Sequence, residues 1–520
     1  MFLNFLNSRF FLVFFFPFLL GASTVFSFQP FNFNFINFLV IPTLFLITHY
    51  VQKKSRNTFR KKPYLLNLFF IGYFFGIGFF FTGVYWISHS LTFDESFKFL
   101  IPISIIGLPI FLGFFFGLGN LLVGPFLSRN FLSVILFSGS LAFIDILRAK
   151  LFTGFPWNVW AYSWSWVPEL LQGLSVLNFF TFNFFVILVY ASPLLIIFKK
   201  KYFKIFALFI LIFFGNFIYG SSVIKKNNEL VSNYDESELL YVKSVSPNLD
   251  LKYNLTETEI ENNIKNLIRY SEPEENKKTL FVWPEGAFSG YSYDQIRQYG
   301  GLFQNSFSDN HLILLGINTE EESNNELKVY NSIIIVNKNF DIIYQYNKFK
   351  LVPFGEFIPF DKFINFLGLQ KITQGQGSFS KGEINQLFIK DDLKLLPLIC
   401  YEIIFPEIVQ ENKLSNLIIN ISQDAWFGDS IGPYQHFSKA IFRAIENNTF
   451  LVRSANKGIT AIIDNKGIVK KTLRPFEKGS IEFNVQLINT KKFDKKIDLI
   501  FLIILFTGVL VFSIYKKNEK

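Results

Sequence analysis

Cysteine and charge are scarce in this sequence. Cys400 is the one cysteine among 520 residues, so no disulfide can form within the chain and a disulfide-stabilised scaffold is excluded. Charged residues make up 17% of the chain, against roughly 25% in a typical soluble domain. Hydrophobic residues make up 50%, and the mean hydropathy is +0.32. The composition therefore excludes an intrinsically disordered chain and predicts a folded protein that is rich in apolar surface.

Long apolar runs account for this excess. A hydrocarbon core of about 30 Å needs roughly 17 to 25 apolar residues in a helix, and such runs follow one another through the first 221 residues. The predicted transmembrane helices cover residues 10–28, 32–51, 64–88, 100–118, 131–147, 172–197, 204–221 and 498–515. We therefore predict a membrane domain over residues 1–221, an ordinary mixed domain over 222–496, and a last span with a short tail over 497–520.

Basic residues predict the orientation of these helices. The net charge of +10 fits either nucleic acid or anionic lipid as a partner. The positions of the basic residues along the chain distinguish the two. The basic clusters that flank the spans comprise Arg9, Lys53, Lys54, Arg56, Arg60, Lys61, Lys62, Lys199, Lys200, Lys201, Lys204, Lys516, Lys517 and Lys520. These clusters all lie on the same side of the membrane if every predicted helix crosses it. The positive-inside rule makes that side cytoplasmic. Both termini are then cytoplasmic, residues 222–496 face outward, and we expect no nucleic-acid partner.

Tryptophan is concentrated in one stretch of the membrane half. Four of the seven tryptophans lie between Arg148 and Pro168, at Trp157, Trp160, Trp164 and Trp166. One interpretation is an aromatic belt at the membrane–water interface. The other is a re-entrant segment that shapes an entrance for lipid. The two interpretations are compatible, and both stay open at this point.

Residues 222–496 alternate between strand and helix patterns. Strands are predicted at 239–246, 279–283, 311–317, 330–336, 341–346, 394–400, 416–422, 449–454 and 459–464. Helices are predicted at 259–270 and 435–447, and Asp464-Asn465-Lys466-Gly467 has the composition of a hairpin turn. Many strands with few helices predict an α/β fold in which sheets pack in layers with helices outside.

Three residues that can carry chemistry lie at the ends of predicted strands. Cys400 follows the apolar run 394–399 and is either a buried small hydrophobe or a nucleophile. Glu285 follows the run 279–283, where a carboxylate has no packing purpose, although such carboxylates are often only solvated. Lys348, taken alone, fits an exposed lysine at a sheet edge. Because a thiolate needs a base or a nearby cation to form at neutral pH, the three together make a stronger signal than each alone.

These three residues resemble the Glu-Lys-Cys triad of the nitrilase superfamily. Longer motifs resemble one of its branches, the apolipoprotein N-acyltransferase family. They are Leu351-Val352-Pro353-Phe354-Gly355-Glu356-Phe357, Asn420-Ile421-Ser422-Gln423-Asp424-Ala425-Trp426-Phe427-Gly428-Asp429-Ser430, Gln435-His436-Phe437, Arg443-Ala444-Ile445-Glu446, Arg453-Ser454-Ala455-Asn456 and Gly154-Phe155-Pro156-Trp157. The resemblance covers nearly the whole chain. It implies a multi-pass α-helical membrane domain joined to an α/β nitrilase-like domain, a four-layer αββα sandwich.

The resemblance also implies an N-acyltransferase that works through a cysteine thioester. Cys400 is the implied nucleophile, Glu285 the general base, and Lys348 the cation that favours the thiolate and stabilises the oxyanion. The implied donor is a phospholipid, and the acceptor is the N-terminal α-amine of the diacylglyceryl-cysteine of an apolipoprotein. Because the enzyme holds the acyl group between its two substrates, the scheme is ping-pong.

Further residues take roles from the same resemblance. The residues implied to support the triad are Glu356, Tyr401 and Glu402, and those implied to bind substrate are Trp426, Phe427 and Tyr253. Purely structural alternatives remain, since Glu356 is also suited to cap a loop and Trp426 and Phe427 are also suited to a core. His436 is interpreted as structural, because this chemistry requires no histidine. Gly286 departs from the family, which more often has serine or threonine at this position. Tyr253 also departs from it, because the family more often has tryptophan there.

The remaining expectations concern partners and location. We expect no cofactor and no metal, because no Cys/His cluster has metal-ligand spacing. We expect a monomer in the inner membrane, in contact with membrane lipids, with its catalytic domain in the periplasm. One alternative is a membrane-tethered amidase or nitrilase that uses water as the acceptor. The other is a transporter or scaffold, but transporters normally carry ionisable residues inside their spans, and these spans are nearly free of them apart from Asp145.

Overall fold

The computed structural model describes residues 8–58, 64–231, 239–323, 326–359, 378–384, 386–489, 492 and 494–518. The chain divides into two compact units. The helical unit comprises residues 1–223 and 493–520, and the sheet unit comprises residues 224–492. Of the basic residues that predict the orientation, Arg60, Lys61, Lys62 and Lys520 lie outside the described residues.

The α-helices occur in both units and are numbered in chain order. They are α1 (Phe16–Ser23), α2 (Asn37–Thr58), α3 (Tyr64–Gly83), α4 (Ile101–Val123), α5 (Phe131–Lys150), α6 (Pro168–Leu171), α7 (Phe179–Ala191), α8 (Pro193–Phe198), α9 (Phe203–Val231), α10 (Glu257–Ser271), α11 (Tyr293–Ile296), α12 (Gly300–Gln304), α13 (Pro406–Glu411), α14 (Gly432–Asn447) and α15 (Lys496–Asn518).

The prediction of a multi-pass helical domain is confirmed. Within the described residues, seven helical segments are long and apolar enough to cross a membrane. They are Asn34–Lys54, Tyr64–Gly83, Glu95–Phe126, Phe131–Lys150, Phe179–Phe198, Lys200–Glu229 and Lys496–Lys517. The first predicted span corresponds to a shorter apolar helix, Phe11–Ser27.

Glycines allow α1 and α3 to pack with their backbones nearly touching. A Cβ atom at Gly78 of α3 would lie 2.0 Å from the carbonyl oxygen of Phe18 in α1. Reciprocally, a Cβ atom at Gly21 of α1 would lie 1.9 Å from the carbonyl oxygen of Phe75 in α3. Small residues at such crossings let helices in a membrane gain van der Waals contact that a larger side chain would prevent.

The tryptophan-rich stretch is packed inside the helical unit. Trp157, Trp160 and Trp164 are at most 5% exposed, whereas Trp166 is 42% exposed. Of these four residues, only Trp166 therefore fits an aromatic belt. Hydrogen bonds hold the start of this stretch in place. The buried Arg148 donates to Asp145 Oδ1 at 2.9 Å and to the carbonyl of Phe155.

The sheet unit contains two six-stranded sheets. The strands are β1 (Leu239–Ser246), β2 (Thr279–Val282), β3 (His311–Ser323), β4 (Glu326–Val336), β5 (Ile342–Asn347), β6 (Phe388–Lys390), β7 (Leu393–Ile399), β8 (Leu417–Gln423), β9 (Phe450–Asn456), β10 (Thr460–Ile463), β11 (Val469–Leu473) and β12 (Gly479–Gln486). One sheet has the order β12-β1-β2-β3-β4-β5, and the other has the order β11-β10-β9-β8-β7-β6. Strands β1 to β3 are parallel, and so are β7 to β9.

The two sheets face each other, and helices cover their outer faces. Apolar residues of both sheets form one buried cluster, which includes Val242, Leu280, Leu314, Leu395, Ile419 and Val452. On the other face of the first sheet, Ile260, Ile264 and Leu267 of α10 pack with Phe281 and Trp283. Helix α14 lies against β9 and β10 of the second sheet. The predicted four-layer αββα sandwich is confirmed.

The predicted strands differ from the observed ones mainly at sheet edges. Strands β6, β11 and β12 were not predicted: β6 has only three residues, β11 exposes most of its side chains, and β12 buries alternate residues as an edge strand does. Strand β3 continues beyond its predicted end at residue 317 as far as Ser323, because Glu320–Ser323 pairs with the start of β4 in a long hairpin. Pairing with a neighbour therefore fixes these boundaries, and local composition does not.

The close approach of α1 and α3 gives a first prediction. Gly78→Ala places a methyl group on the Phe18 carbonyl, so we expect the free energy of unfolding to fall by about 1–3 kcal/mol. Gly215→Ala in α9 is the matched control, since no atom lies within 4 Å of its Cβ position, and we expect no loss there. Thermal unfolding of the full chain in detergent measures both, and equal losses would contradict the packing argument.

Candidate active site

The three predicted triad residues each follow a strand of the sandwich. Cys400 comes directly after β7, Lys348 comes directly after β5, and Glu285 lies just beyond β2. Gly316 of β3 makes the close approach possible, because a Cβ atom there would lie 2.9 Å from Cα of Glu285 and 2.7 Å from Ile421 of the facing sheet. The strand ends therefore bring residues from distant parts of the chain to one place.

Glu285 and Lys348 belong to one hydrogen-bonded network. Glu285 accepts through Oε1 from Nδ2 of Asn331 at 2.8 Å, and through Oε2 from the backbone N–H of Gln423 at 2.9 Å. Lys348 Nζ lies 3.8 Å from Glu285 Oε1 and donates to Glu356 Oε1 at 2.8 Å. Asn331 also donates to Glu356 Oε1 at 2.8 Å. The amide of Asn331 thus donates to both of the carboxylates that lie next to the lysine.

Glu356 is fixed by the turn that contains it. Its Oε2 atom accepts the backbone N–H of Val352 at 2.8 Å, and its own N–H donates to the carbonyl of Val352 at 2.8 Å. Phe354 in the same turn has a left-handed φ of +62°. The side chain is both an internal cap of this turn, as the structural alternative proposed, and a direct partner of Lys348.

Burial and ion pairing set the acid–base state of this network. Burial raises the pKa of Glu285, and Glu356 adds to the rise while Lys348 opposes it. Burial alone would lower the pKa of Lys348, but Glu356 and Glu285 raise it above its ordinary value. Lys348 is therefore a permanent cation at neutral pH, and Glu285 is a stronger base than a solvated glutamate.

Cys400 occupies a sharp turn at the end of β7. Its φ of +47° lies in the left-handed region that residues with a side chain rarely adopt, and the thiol is buried. Burial raises the pKa of this thiol, Glu285 raises it further, and Lys348 opposes the rise. The resting thiol is therefore protonated, and a base must take its proton before the sulfur can attack a carbonyl.

Glu402 holds the backbone around Cys400 and Lys348 together. Its Oε1 atom accepts from the hydroxyl of Tyr346 at 2.8 Å and from the N–H groups of Phe349 and Lys350 at 2.8 and 3.0 Å. Its Oε2 atom accepts from the N–H of Ile399 at 2.8 Å. The fully buried carboxylate thus joins the segments on either side of the nucleophile and the lysine, a positioning role.

The aromatic residues predicted to bind substrate lie around this network. Tyr253 is half-buried, and its pKa is raised by burial and by the charges of Glu285 and Glu356. Its ring centroid lies 6.4 Å from that of Trp426. Trp426 and Phe427 are also half-buried, so neither is a plain core residue. Tyr401 is half-buried and packs edge-to-face on Phe405 at 5.1 Å.

Gly286, the residue after the base, makes room for Gln423. It has a φ of +80°, and a Cβ atom there would lie 2.2 Å from Nε2 of Gln423. The glutamine therefore fills the space that a serine or threonine side chain would occupy. This departure from the family pattern changes the wall beside Glu285 and leaves the triad in place.

Two features of the site were not predicted from the sequence. Asn331 lies in β4 beside Ser332, and the first half of that strand also carries Glu326 and Lys328, so its composition gives no signal that singles out Asn331. The second is a buried cluster beside the nucleophile, made of Ser422, Asp424, His436 and Arg453. Asp424 and Arg453 are part of the quoted motifs, but nothing in their spacing indicates that they pair.

Comparisons with known proteins bear on both units. The family model described as Apolipoprotein N-acyltransferase N-terminal domain matches residues 20–192, and the model described as Carbon-nitrogen hydrolase matches residues 246–494. The apolipoprotein N-acyltransferase of Brucella melitensis is 32% identical over 466 residues, which cover 88% of this chain and 86% of that protein. That of Rickettsia typhi is 33% identical over 465 residues, covering 87% and 88%. A solved Saccharomyces cerevisiae member of branch 10 of the nitrilase superfamily is 19% identical over 48% of this chain and 90% of that chain, with a TM-score of 0.34.

The bonds of Glu402 give a second prediction. Glu402→Gln turns an amide N–H₂ group toward backbone donors, so we expect the free energy of unfolding to fall by about 2–3 kcal/mol. We also expect slower acylation of Cys400, because Lys348 loses its fixed position. Glu411→Gln, at the exposed end of α13, is the control and should change neither quantity. Unfolding in denaturant and single-turnover acylation measure the two effects; an unchanged Glu402→Gln protein would argue against this role.

Proposed function

The chain belongs to the apolipoprotein N-acyltransferase family, and from this membership we propose that it transfers an acyl chain from a phospholipid to an apolipoprotein. The acceptor is the N-terminal α-amine of the diacylglyceryl-cysteine, so the reaction is the last step of lipoprotein maturation. The protein is a multi-pass membrane acyltransferase. The observation that carries the finer proposal is the buried thiol of Cys400 at a sharp turn, together with the buried Lys348 ammonium group 3.8 Å from the carboxylate of Glu285.

In the first half-reaction, Glu285 takes the proton of the Cys400 thiol as the sulfur attacks the carbonyl carbon of a phospholipid ester. The negative charge moves to the carbonyl oxygen, and the ammonium group of Lys348 stabilises it. The bond between the carbonyl carbon and the glycerol oxygen then breaks. That oxygen receives the proton from Glu285, a lysophospholipid leaves, and the acyl group remains on Cys400 as a thioester.

In the second half-reaction, the α-amine of the diacylglyceryl-cysteine attacks the thioester. Glu285 takes a proton from the attacking nitrogen, an amide bond forms, and the carbon–sulfur bond breaks. The proton held by Glu285 returns to the sulfur, so the thiol and the carboxylate are both restored. Because the lysophospholipid leaves before the acceptor reacts with the acyl-enzyme, the kinetics are ping-pong.

A membrane location suits these substrates. A soluble enzyme would have to draw acyl chains out of the bilayer at a cost of about 0.8 kcal/mol per methylene group. Spanning helices keep the enzyme in the bilayer that holds both lipid substrates. We infer that the protein lies in the inner membrane with the sheet unit in the periplasm, on the basis of the basic clusters around the spans.

The acyl-enzyme gives the third prediction. Purified protein incubated with a phospholipid that carries a radiolabelled acyl chain should acquire label that hydroxylamine removes, because hydroxylamine cleaves thioesters. Cys400→Ser and Glu285→Gln should acquire no such label, whereas Glu275→Gln, which alters an exposed carboxylate of the same unit, should behave like the wild type. Absence of label from the wild type would disprove the acyl-enzyme.

The acceptor is tested by adding a diacylated lipopeptide to the labelled enzyme. Transfer of label to the peptide amine supports the proposal. If the label appears only as free fatty acid, the protein is instead a membrane-bound hydrolase that uses water. The same labelled preparation thus separates the acyltransferase from the amidase alternative.

The orientation gives the fourth prediction. In a Cys400→Ser background, Asp309→Cys places a thiol on the exposed surface of the sheet unit, and Lys516→Cys places one on an exposed position at the C-terminal end of the last span. A membrane-impermeant maleimide added to intact spheroplasts should label the first variant and should label the second only after lysis. The reverse pattern would place the sheet unit in the cytoplasm.

A further inference from the structure

The turn at Cys400 is held from both sides by side chains. On the side before the cysteine, Glu402 Oε2 accepts the N–H of Ile399 at 2.8 Å. On the other side, the carbonyl oxygen of Cys400 lies 3.2 Å from Nε2 of His436. A non-glycine residue keeps a left-handed conformation only when its surroundings over-determine it. The bond to His436 is one of the contacts that does so.

The geometry fixes which ring nitrogen of His436 carries the proton. A carbonyl oxygen only accepts, so Nε2 must donate to it. His436 is fully buried, and burial together with the Arg453 guanidinium lowers its pKa to about 4, although Asp424 opposes this. The ring is therefore neutral at pH 7, and Nδ1 is left as an acceptor. A guanidinium nitrogen of Arg453 lies 3.0 Å from Nδ1 and can donate to it.

Arg453 and Asp424 in turn hold this arrangement in place. Arg453 donates to Asp424 Oδ2 at 2.8 Å, and it also donates to the side chain of Asn420 in β8. Ser422 donates to Asp424 Oδ1 at 2.6 Å. That oxygen also lies 3.0 Å from Nδ1 of the histidine, but both atoms are acceptors, so Arg453 and not Asp424 supplies the hydrogen bond to Nδ1. All of these side chains are fully buried. The cluster thus links strands β8 and β9 to the carbonyl of the nucleophile through one imidazole.

His436 also contacts a predicted substrate-binding residue. The ring of Phe427 lies edge-to-face on the imidazole, with centroids 5.3 Å apart. One side chain therefore touches both the backbone of the nucleophile and the aromatic wall beside it. A histidine placed only for packing would not need its Nε2 atom at the carbonyl of this particular residue.

From these contacts we propose that His436 is a positioning residue for the nucleophile. It donates from Nε2 to the Cys400 carbonyl, with the Arg453 guanidinium, itself held by Asp424, donating to Nδ1, and so keeps the thiol aimed at the substrate carbonyl. This proposal rests on the proposed function, in which Cys400 carries the acyl group. It replaces the interpretation of His436 as merely structural.

The test compares two amides at this position. His436→Gln can place an amide N–H near the former Nε2 atom, whereas the shorter His436→Asn cannot reach the Cys400 carbonyl. The control is His311→Asn, since His311 is also buried and bonded to backbone, with Nε2 2.9 Å from the Glu274 carbonyl and Nδ1 accepting from Ser308, away from the triad. The full-length proteins in detergent react with p-nitrophenyl butyrate, and the burst of p-nitrophenol reports acylation of the one cysteine.

We expect His436→Asn to lower the acylation rate constant by about ten- to a hundredfold. The ester concentration that gives half the maximal rate should change by no more than about twofold, because binding is not affected. His436→Gln should recover most of the rate, and His311→Asn should acylate like the wild type even where its melting temperature falls.

Two results would overturn the proposal: acylation by His436→Asn at the wild-type rate, or equal loss of rate in the Asn and Gln variants. The proposed function is judged separately on the wild type. A wild-type burst with the soluble ester but no label from phospholipid would reject the phospholipid donor and leave the role of His436 intact. No burst from the wild type would reject Cys400 as the nucleophile, and the role of His436 with it.

Discussion

The site depends on one buried cation, the ammonium group of Lys348, held against two carboxylates. Lys348 is 1% exposed and lies 2.8 Å from Glu356 and 3.8 Å from Glu285. Removing such a charge from water is costly unless partners surround it, so Glu356, Glu285 and the amide of Asn331 have to stay in place. The turn that carries Glu356 and the strand that carries Asn331 are therefore parts of the same electrostatic unit.

Burial, together with the charge count of this unit, explains why the thiol rests in its protonated form. Two carboxylates and one ammonium group leave the buried site with one net negative charge, and a thiolate formed by losing a proton to solvent would add a second. Transfer of the proton from Cys400 to Glu285 keeps the net charge unchanged, and it moves the negative charge onto the atom that attacks. Burial is the main cause of the raised pKa of both groups, and a proton that passes from one to the other stays within the buried site.

The sequence predicts the sandwich from local patterns, whereas the proposed triad rests on the resemblance of its motifs to a known family. Apolar runs of strand length that end in Glu285 or Cys400 mark the strand ends, and long apolar runs mark the membrane helices. The residues that were missed depend on long-range pairing. Asp424 meets Arg453 only once β8 and β9 align, and β12 pairs with β1 from the far end of the domain. A hydrophobic run also cannot distinguish lipid from protein as its neighbour, which is why the burial of Trp157 and Trp160 was not apparent.

The same triad in a hydrolase delivers an acyl group to water, so a transferase needs a reason to spare its thioester. Burial supplies one: Cys400 is 8% exposed, and the side chain of Glu285 is 13% exposed, so little solvent reaches the base that would activate water. An acceptor that brings its own lipid anchor and amine can enter an apolar, aromatic-walled site more readily than a water molecule can be held there. In the proposed function, the half-buried Tyr253, Trp426 and Phe427 are therefore the residues proposed to decide between amine and water, while the proposed triad supplies a reaction common to both.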